Sequence, residues 1–253
     1  MNSSNKENIT KDFDNKKLTY FEKNYSNKAK NTLRRIRLSK INSNIDIKRK
    51  YNKVLDVGCG TAILYKELLN IANEYHALDL VQSNLDNIGL NNINKDNIKF
   101  IHCDIDSYNT TDKFDLIICS GSLEYSVEPL QNLSKLLTYL NKNGVFIASF
   151  PNRNNLYRIW SEYVYKYLSI IINILKGKII FRYKRNLFTQ KQIKSTLKEF
   201  QFQSVKFDYF GLKIILQPFD KLFKHVDDKF IHLGEKHKLF KLFYSEIILI
   251  CRF

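Results

Sequence analysis

Three aspartates and two glycines set the chemistry this chain can do. Asp56 lies inside Val54-Leu55-Asp56-Val57-Gly58-Cys59-Gly60-Thr61-Ala62. Gly58 and Gly60 let the backbone turn sharply there and let a ligand approach without a Cβ in the way. Asp79 follows Gly58 by 21 residues, the spacing at which a carboxylate beyond a glycine turn accepts hydrogen bonds from ribose hydroxyls. Asp104 closes a further apolar run. The dinucleotide fingerprint requires a glycine where Ile63 stands, and an aspartate within the turn suits a cationic or hydroxyl-rich ligand better than a pyrophosphate.

Residues so spaced need a scaffold that brings strand ends together. Apolar, β-branched runs predict strands at Val54–Val57, Tyr75–Asp79, Ile98–Asp104, Phe114–Cys119, Val145–Phe150, Val205–Phe210 and Ile247–Cys251. Helical patterns fall between them, at Ala62–Leu69, Val81–Leu90, Pro129–Leu140 and Gln190–Phe200. Pro129 suits a first helical turn, and Thr189 can cap the last of these helices. Asn143-Gly144 reads as the turn into the fifth strand. Strands alternating with helices at this spacing imply a parallel sheet with right-handed crossovers.

The string Asp56-x-Gly58-x-Gly60-x-Ala62 resembles motif I of the class I S-adenosylmethionine-dependent methyltransferases. Ala62 stands where that family usually has glycine, and five stations over residues 50–152 match. The resemblance implies an α/β, Rossmann-like fold: a seven-stranded, mostly parallel sheet with helices on both faces, an antiparallel last strand and a helical cap inserted after strand five. It implies S-adenosylmethionine as cofactor and no metal. Asp56, Gly58, Cys59 and Gly60 would cradle its amino-acid end, Asp79 and Leu80 the ribose side, and Asp104 and Ile105 the adenine. Cys119, Ser120 and Gly121, after strand four, would meet the methionine portion. The loop continues Ser122-Leu123-Glu124-Tyr125. Relatives of the ubiquinone-biosynthesis type read Leu-Glu-His there, which makes Glu124 and Tyr125 the acceptor-side candidates. Tyr125 could position an acceptor hydroxyl, and would accept its proton only if its pKa fell far below about 10.

The chain has 253 residues, a net charge of +16 and four cysteines. From Val54 to Phe150 six Lys/Arg face twelve Asp/Glu, a net of −6 that leaves +22 for the flanks. Basic flanks point to an acidic partner: a phosphorylated substrate, an anionic membrane or nucleic acid. Cys59, Cys103, Cys119 and Cys251 form no C-x-x-C pair and read as reduced, buried thiols of an intracellular protein. The domain plan is a disordered tail at 1–17 and one methyltransferase domain at 18–253. That domain comprises N-terminal helices at 18–50, the cofactor core at 51–152 and cap inserts at 153–188 and 212–240. Leu156–Phe181 is apolar and aromatic and runs into a basic stretch. It reads either as a buried cap helix or as a lid that docks on an anionic membrane or receives a lipid-linked or phosphorylated acceptor. In the second segment Phe219, Leu222, Phe223 and Val226 recur at helical spacing, near His225, His232 and His237.

The expectation is a cytoplasmic enzyme, peripheral at the inner membrane face in the docking case. It would methylate a small molecule, foremost a hydroxyl of a sugar or surface-glycan precursor, a phosphorylated metabolite, or a quinone-like or lipid-linked compound. A nucleic-acid methyltransferase and a non-catalytic binding protein are the alternatives.

Overall fold

The computed structural model describes residues 32–68, 70–90, 96–175, 185–213, 215–216, 218–219 and 242–253. Seven strands form one sheet: β1 (Tyr51–Val57), β2 (Ala72–Asp79), β3 (Ile98–His102), β4 (Phe114–Ser120), β5 (Leu140–Pro151), β6 (Ser204–Leu212) and β7 (Tyr244–Arg252). Their order is β3-β2-β1-β4-β5-β7-β6. The first five pair in parallel, and β7 runs antiparallel to both β5 and β6. The parallel centre explains the sequence: β1, β4 and β5 are covered on both faces, so they read as near-continuous apolar runs. β3, at an edge, exposes Lys99, Phe100 and His102.

Helices cover both faces. On one lie α1 (Thr32–Asn42), α2 (Ile63–Leu68) and α3 (Gln82–Leu90), which bury Ile41, Leu64, Tyr65, Leu68, Leu85 and Ile88 against Val54, Leu116, Ile118 and Ile248. On the other, α4 (Pro129–Thr138) and α7 (Gln190–Leu197) bury Leu133, Leu136, Leu137, Ile193 and Leu197 against Leu55, Ile117, Phe146 and Leu249. Pro129 opens α4, and Thr189 starts α7 with a full capping box, its hydroxyl on the Gln192 N–H and the Gln192 side chain on its own N–H. After β5 the chain rises into a cap: α5 (Leu156–Ile159), a π-helical stretch (Trp160–Tyr165) and α6 (Lys166–Leu175).

Several elements differ from the sequence reading. α2 begins at Ile63, not Ala62, because Ala62 takes φ +48°. α4 and α7 end at Thr138 and Leu197, before the predicted Leu140 and Phe200. Asn143-Gly144 is not a helix-to-strand turn: β5 already begins at Leu140, and Asn143, at φ +68°, lies within it. Its register against β4 shifts between Phe114 and Leu116, as at a β-bulge. In the basic segment before β1, Arg37 and Lys40 reach Glu246 and Asp208 on the sheet, while Arg35, Lys48 and Lys50 are exposed. The 1–17 tail, the segment up to residue 31, most of the 212–240 insert and its three histidines lie outside the described residues.

The cap is not a buried helix. Ser169 is the buried residue of α6, at 7% exposure, whereas Leu175 stands 81% exposed. Tyr163, Tyr167, Leu168, Ile171, Ile172 and Ile174 are also exposed. The polar side chains turn inward instead, Arg158 to Glu246 and Glu162 to Arg185.

Candidate functional site

Between β1 and β4 the strand order reverses, and crossovers leave to opposite faces of the sheet. In open α/β sheets that point forms a crevice beyond the carboxyl ends of the strands, where ligands bind. Backbone bonds knit the strand ends there. The N–H groups of Gly58 and Cys59 both donate to the Leu78 carbonyl, at 2.7 and 3.0 Å, and Cys103 N–H donates to the Asp79 carbonyl at 3.1 Å.

The turn after β1 depends on a close approach. Gly58 has φ +69°, and a Cβ on it would lie 2.4 Å from the Cβ of Ser122. Ser122 Oγ donates to the Val57 carbonyl at 2.6 Å. Its one hydrogen is thereby used, so Cys119 Sγ, 3.0 Å away, is the donor in their contact. The loop after β4 thus rests directly on the loop after β1.

Asp79 faces the same turn. One carboxylate oxygen accepts from Gly60 N–H at 2.8 Å; the other accepts from Val81 N–H at 2.8 Å and from Asn84 Nδ2 at 3.1 Å. Burial pushes its pKa up, while the Val81 and Gly60 N–H groups pull it down. Leu80 carries the chain on into α3, and its carbonyl lies 3.0 Å from His102 Nε2. Asp104 is half-buried and accepts from Asp106 N–H at 3.1 Å, with buried Ile105 beside it. Asp79, Asp104, Ile105, Gly58, Cys59, Gly60, Ser120 and Gly121 therefore gather along one rim.

Asp56 does not join that rim. It is buried beneath the turn and accepts a hydrogen bond from the Tyr75 hydroxyl. Burial raises its pKa to about 7; the Tyr75 bond lowers it and the Asp79 charge raises it further. Its contact with Tyr75 ties β1 to β2 beneath the turn. Burial also pushes the Cys59 thiol well up and the Cys119 thiol to about 12, so neither supplies a thiolate.

The Methyltransferase domain family model matches residues 48–201, which span this crevice and the cap. The chain belongs to that methyltransferase-domain family. Among relatives, the ubiquinone biosynthesis O-methyltransferase of Psychrobacter cryohalolentis is 30% identical over 108 residues, 40% of this chain and 42% of that protein. The malonyl-[acyl-carrier protein] O-methyltransferase 2 of Ilyobacter polytropus is 25% identical over 154 residues, 56% of this chain and 58% of that protein. The chain spans about half the length of the curated relatives it matches. Two solved structures share the fold. The N-methyltransferase NodS from Bradyrhizobium japonicum, in complex with S-adenosyl-L-homocysteine, has TM-score 0.61 at 11% identity, covering 97% of this chain and 98% of that one. The magnesium protoporphyrin IX methyltransferase from Synechocystis, with the same bound molecule, has TM-score 0.61 at 14% identity, covering 98% and 99%.

In this methyltransferase domain the acceptor-side candidates lie in a 3-10 turn, Leu123–Tyr125. Tyr125 is half-buried. Glu124 is 5% exposed, and its Oε2 has no hydrogen-bond partner among the described residues. Burial pushes its carboxyl up, Arg37 pulls it down and Glu246 pushes it up again. Asn186 fixes the turn, its N–H and Nδ2 both donating to the Glu124 carbonyl, at 2.8 and 3.2 Å.

Sequence reasoning missed the residues behind this turn. Glu246 on β7 is 1% exposed and takes two guanidiniums, Arg37 of α1 at 3.1 Å and Arg158 of α5. Arg37 also covers Gly121, where a Cβ would lie 2.4 Å from its Nη1. These partners are 88 or more residues apart, so no local pattern links them. Ser122 was hidden for the same reason, its partner Val57 lying 65 residues away.

Proposed function

We propose that this chain is an S-adenosylmethionine-dependent methyltransferase acting on a small molecule, foremost at a hydroxyl oxygen. The observation that carries the reading is the Asp79 carboxylate closed onto the Gly60 N–H at the switch point, with Ser122 packed on Gly58. The family membership and the two S-adenosyl-L-homocysteine-bound neighbours support it.

The residues present fit that cofactor. Asp79 offers acceptor oxygens for ribose hydroxyls, now occupied by backbone N–H groups, and Asp104 with Ile105 borders the adenine side. The glycine turns leave the backbone free of Cβ atoms toward the methionine side. The bound cofactor supplies a sulfonium methyl electrophile. The protein's task is then to hold the acceptor in line with it and to exclude water. Gly121 sets the near wall, and Glu124 and Tyr125 the acceptor side.

The O-methyltransferase names of the relatives favour oxygen as the methylated atom. A nucleic-acid acceptor is less favoured, because Arg37 and Lys40 of α1, part of the basic flank that sequence alone offered to an acidic partner, are engaged on the sheet. The exposed apolar stripe of the cap supports a peripheral membrane contact, through which a lipid-linked or quinone-like acceptor would reach the site. Among the described residues no helix is long and apolar enough to cross a membrane.

The test is thermal. S-adenosylhomocysteine at about 100 times its Kd should stabilise the folded state by about 2.7 kcal/mol, which is roughly 5–10 °C in Tm for a chain of this size. Asp79→Asn should remove most of that gain. No gain in the parent protein defeats the cofactor reading; a full gain in Asp79→Asn removes Asp79 from the site.

A further inference from the structure

We infer that the acceptor carries an oxyanion, a carboxylate or phosphate group, which seats on Arg158 and Arg185 beside Glu124, on the cap side of Gly121. The inference rests on the methyl-transfer reading and names its substrate class.

The observations concern buried polar atoms. Arg158, 9% exposed, uses Nη2 on Glu246, while its Nε has no hydrogen-bond partner among the described residues. Glu124 Oε2 has none either, nor has Ser149 Oγ, fully buried at the end of β5. Ser149 pairs in register with Ser120, the residue before Gly121. The Glu124 carboxyl feels Arg37, Arg185 and Arg158 together. A donor nitrogen, a carboxylate oxygen and a hydroxyl are left without partners among the described residues where the cap meets the tip of β4, whereas buried polar groups ordinarily have one.

The charges say what it takes. Three guanidiniums converge: Arg37 and Arg158 share Glu246, and Arg185 meets Glu162 at 2.9 Å. Glu124 is the remaining carboxyl; burial pushes its pKa up, and Arg37, Arg185 and Arg158 pull it down. These acids leave one guanidinium donor of the cap, Arg158 Nε, unbonded among the described residues. A planar guanidinium fork binds carboxylate and phosphate oxygens in bidentate geometry, and such charge-assisted bonds are the strong ones. Arg185 is the accessible member, its side chain 31% exposed, so an anion entering under the cap meets it first and Arg158 deeper in.

The experiment uses the whole chain saturated with S-adenosylhomocysteine. Inorganic phosphate, malonate and the uncharged dimethyl malonate are titrated at constant ionic strength against chloride, with Tm and calorimetric Kd as readouts. Phosphate or malonate should raise Tm beyond the chloride control, and the stronger arm identifies the oxyanion; the diester should do nothing. Arg185→Gln and Arg158→Gln should each weaken the anion about tenfold or more. Glu124→Gln, which removes a competing negative charge without changing shape, should tighten it several-fold, an effect a purely structural carboxyl does not produce. The inference is overturned if neither anion exceeds chloride, or if Arg185→Gln keeps the parent's affinity. Arg185→Gln decides the matter even if Arg158→Gln does not fold. The S-adenosylhomocysteine shift is read before any anion is added, so failure of the cofactor reading shows separately.

Discussion

Asp56 and Ala62 show how single residues hold a turn in an unfavourable state. Asp56 has no cationic partner in its burial, and its pKa of about 7 means the folded protein prefers it protonated. The sign follows: the folded state binds a proton more tightly than the unfolded chain, so this residue costs stability as pH rises from about 4 to 7. Three pKa units correspond to about 4 kcal/mol as an upper figure. Asp56→Asn should therefore unfold at a Tm close to the parent's at pH 4.5 and clearly above it at pH 8. Equal pH profiles for the two proteins would mean that Asp56 is not the buried acid described. Ala62 sits at φ +48°, 1% exposed. A left-handed alanine costs about 1–2 kcal/mol, and its buried methyl returns somewhat less than 1 kcal/mol. Those terms nearly cancel once the looser unfolded chain of a glycine variant is counted. Ala62→Gly should match the parent within about 1 kcal/mol in denaturant unfolding, whereas Ala62→Val, stiff at χ1 and crowded in that backbone state, should lose more than about 2 kcal/mol.

At the scale of elements, Glu246 joins two parts of the chain that nothing in the sequence connects. It holds α1 through Arg37 and the cap through Arg158. Glu246→Gln would leave two guanidiniums without a counter-charge, and breaking a buried pair this way costs about 3–5 kcal/mol. Hydrogen exchange should then rise together in Thr32–Asn42 and Leu156–Ile159, with β1 and β4 little changed; a rise confined to one helix would show that Glu246 does not couple them. This junction marks the border of what the sequence discloses. The strands, their tips and the glycine turn are legible because each depends on residues a few positions apart: Val54 with Val57, Gly58 with Gly60, Thr189 with Gln192. Even Asp79 is found by a fixed spacing from Gly58. The acceptor side is not legible, because Arg37, Glu124, Arg158 and Glu246 meet only after the sheet has closed. The orientation of the cap is hidden for another reason. An apolar helix flanked by charge reads the same whether its apolar stripe faces a core or leaves it, and only the inward turn of Arg158, Glu162 and Ser169 settles which.

For the molecule as a whole, charge and apolar surface are distributed unevenly. The central segment carries −6, and the flanks carry the excess that makes the chain +16. The exposed stripe of Tyr163, Tyr167, Ile171, Ile174 and Leu175 is followed in the sequence by Lys176, Lys178, Arg182 and Lys184, with no acid among them. An apolar face beside a basic run suits the surface of an anionic bilayer, where each lysine or arginine adds about 1 kcal/mol and the apolar side chains add their burial. The two contributions separate by salt, since charges more than about 10 Å from the lipid are screened at 0.1 M. In flotation, the protein should bind phosphatidylcholine vesicles containing about 30% phosphatidylglycerol and leave pure phosphatidylcholine largely unbound. Raising the salt should weaken binding without abolishing it, because the stripe's share is not electrostatic. Ile171→Glu with Leu175→Glu should remove the residual, salt-resistant part while leaving Tm near the parent's, as both side chains are already exposed. Full retention in that double variant would assign the contact to the basic flanks alone, and equal binding to neutral vesicles would show that net charge plays no part in bringing this face to a membrane.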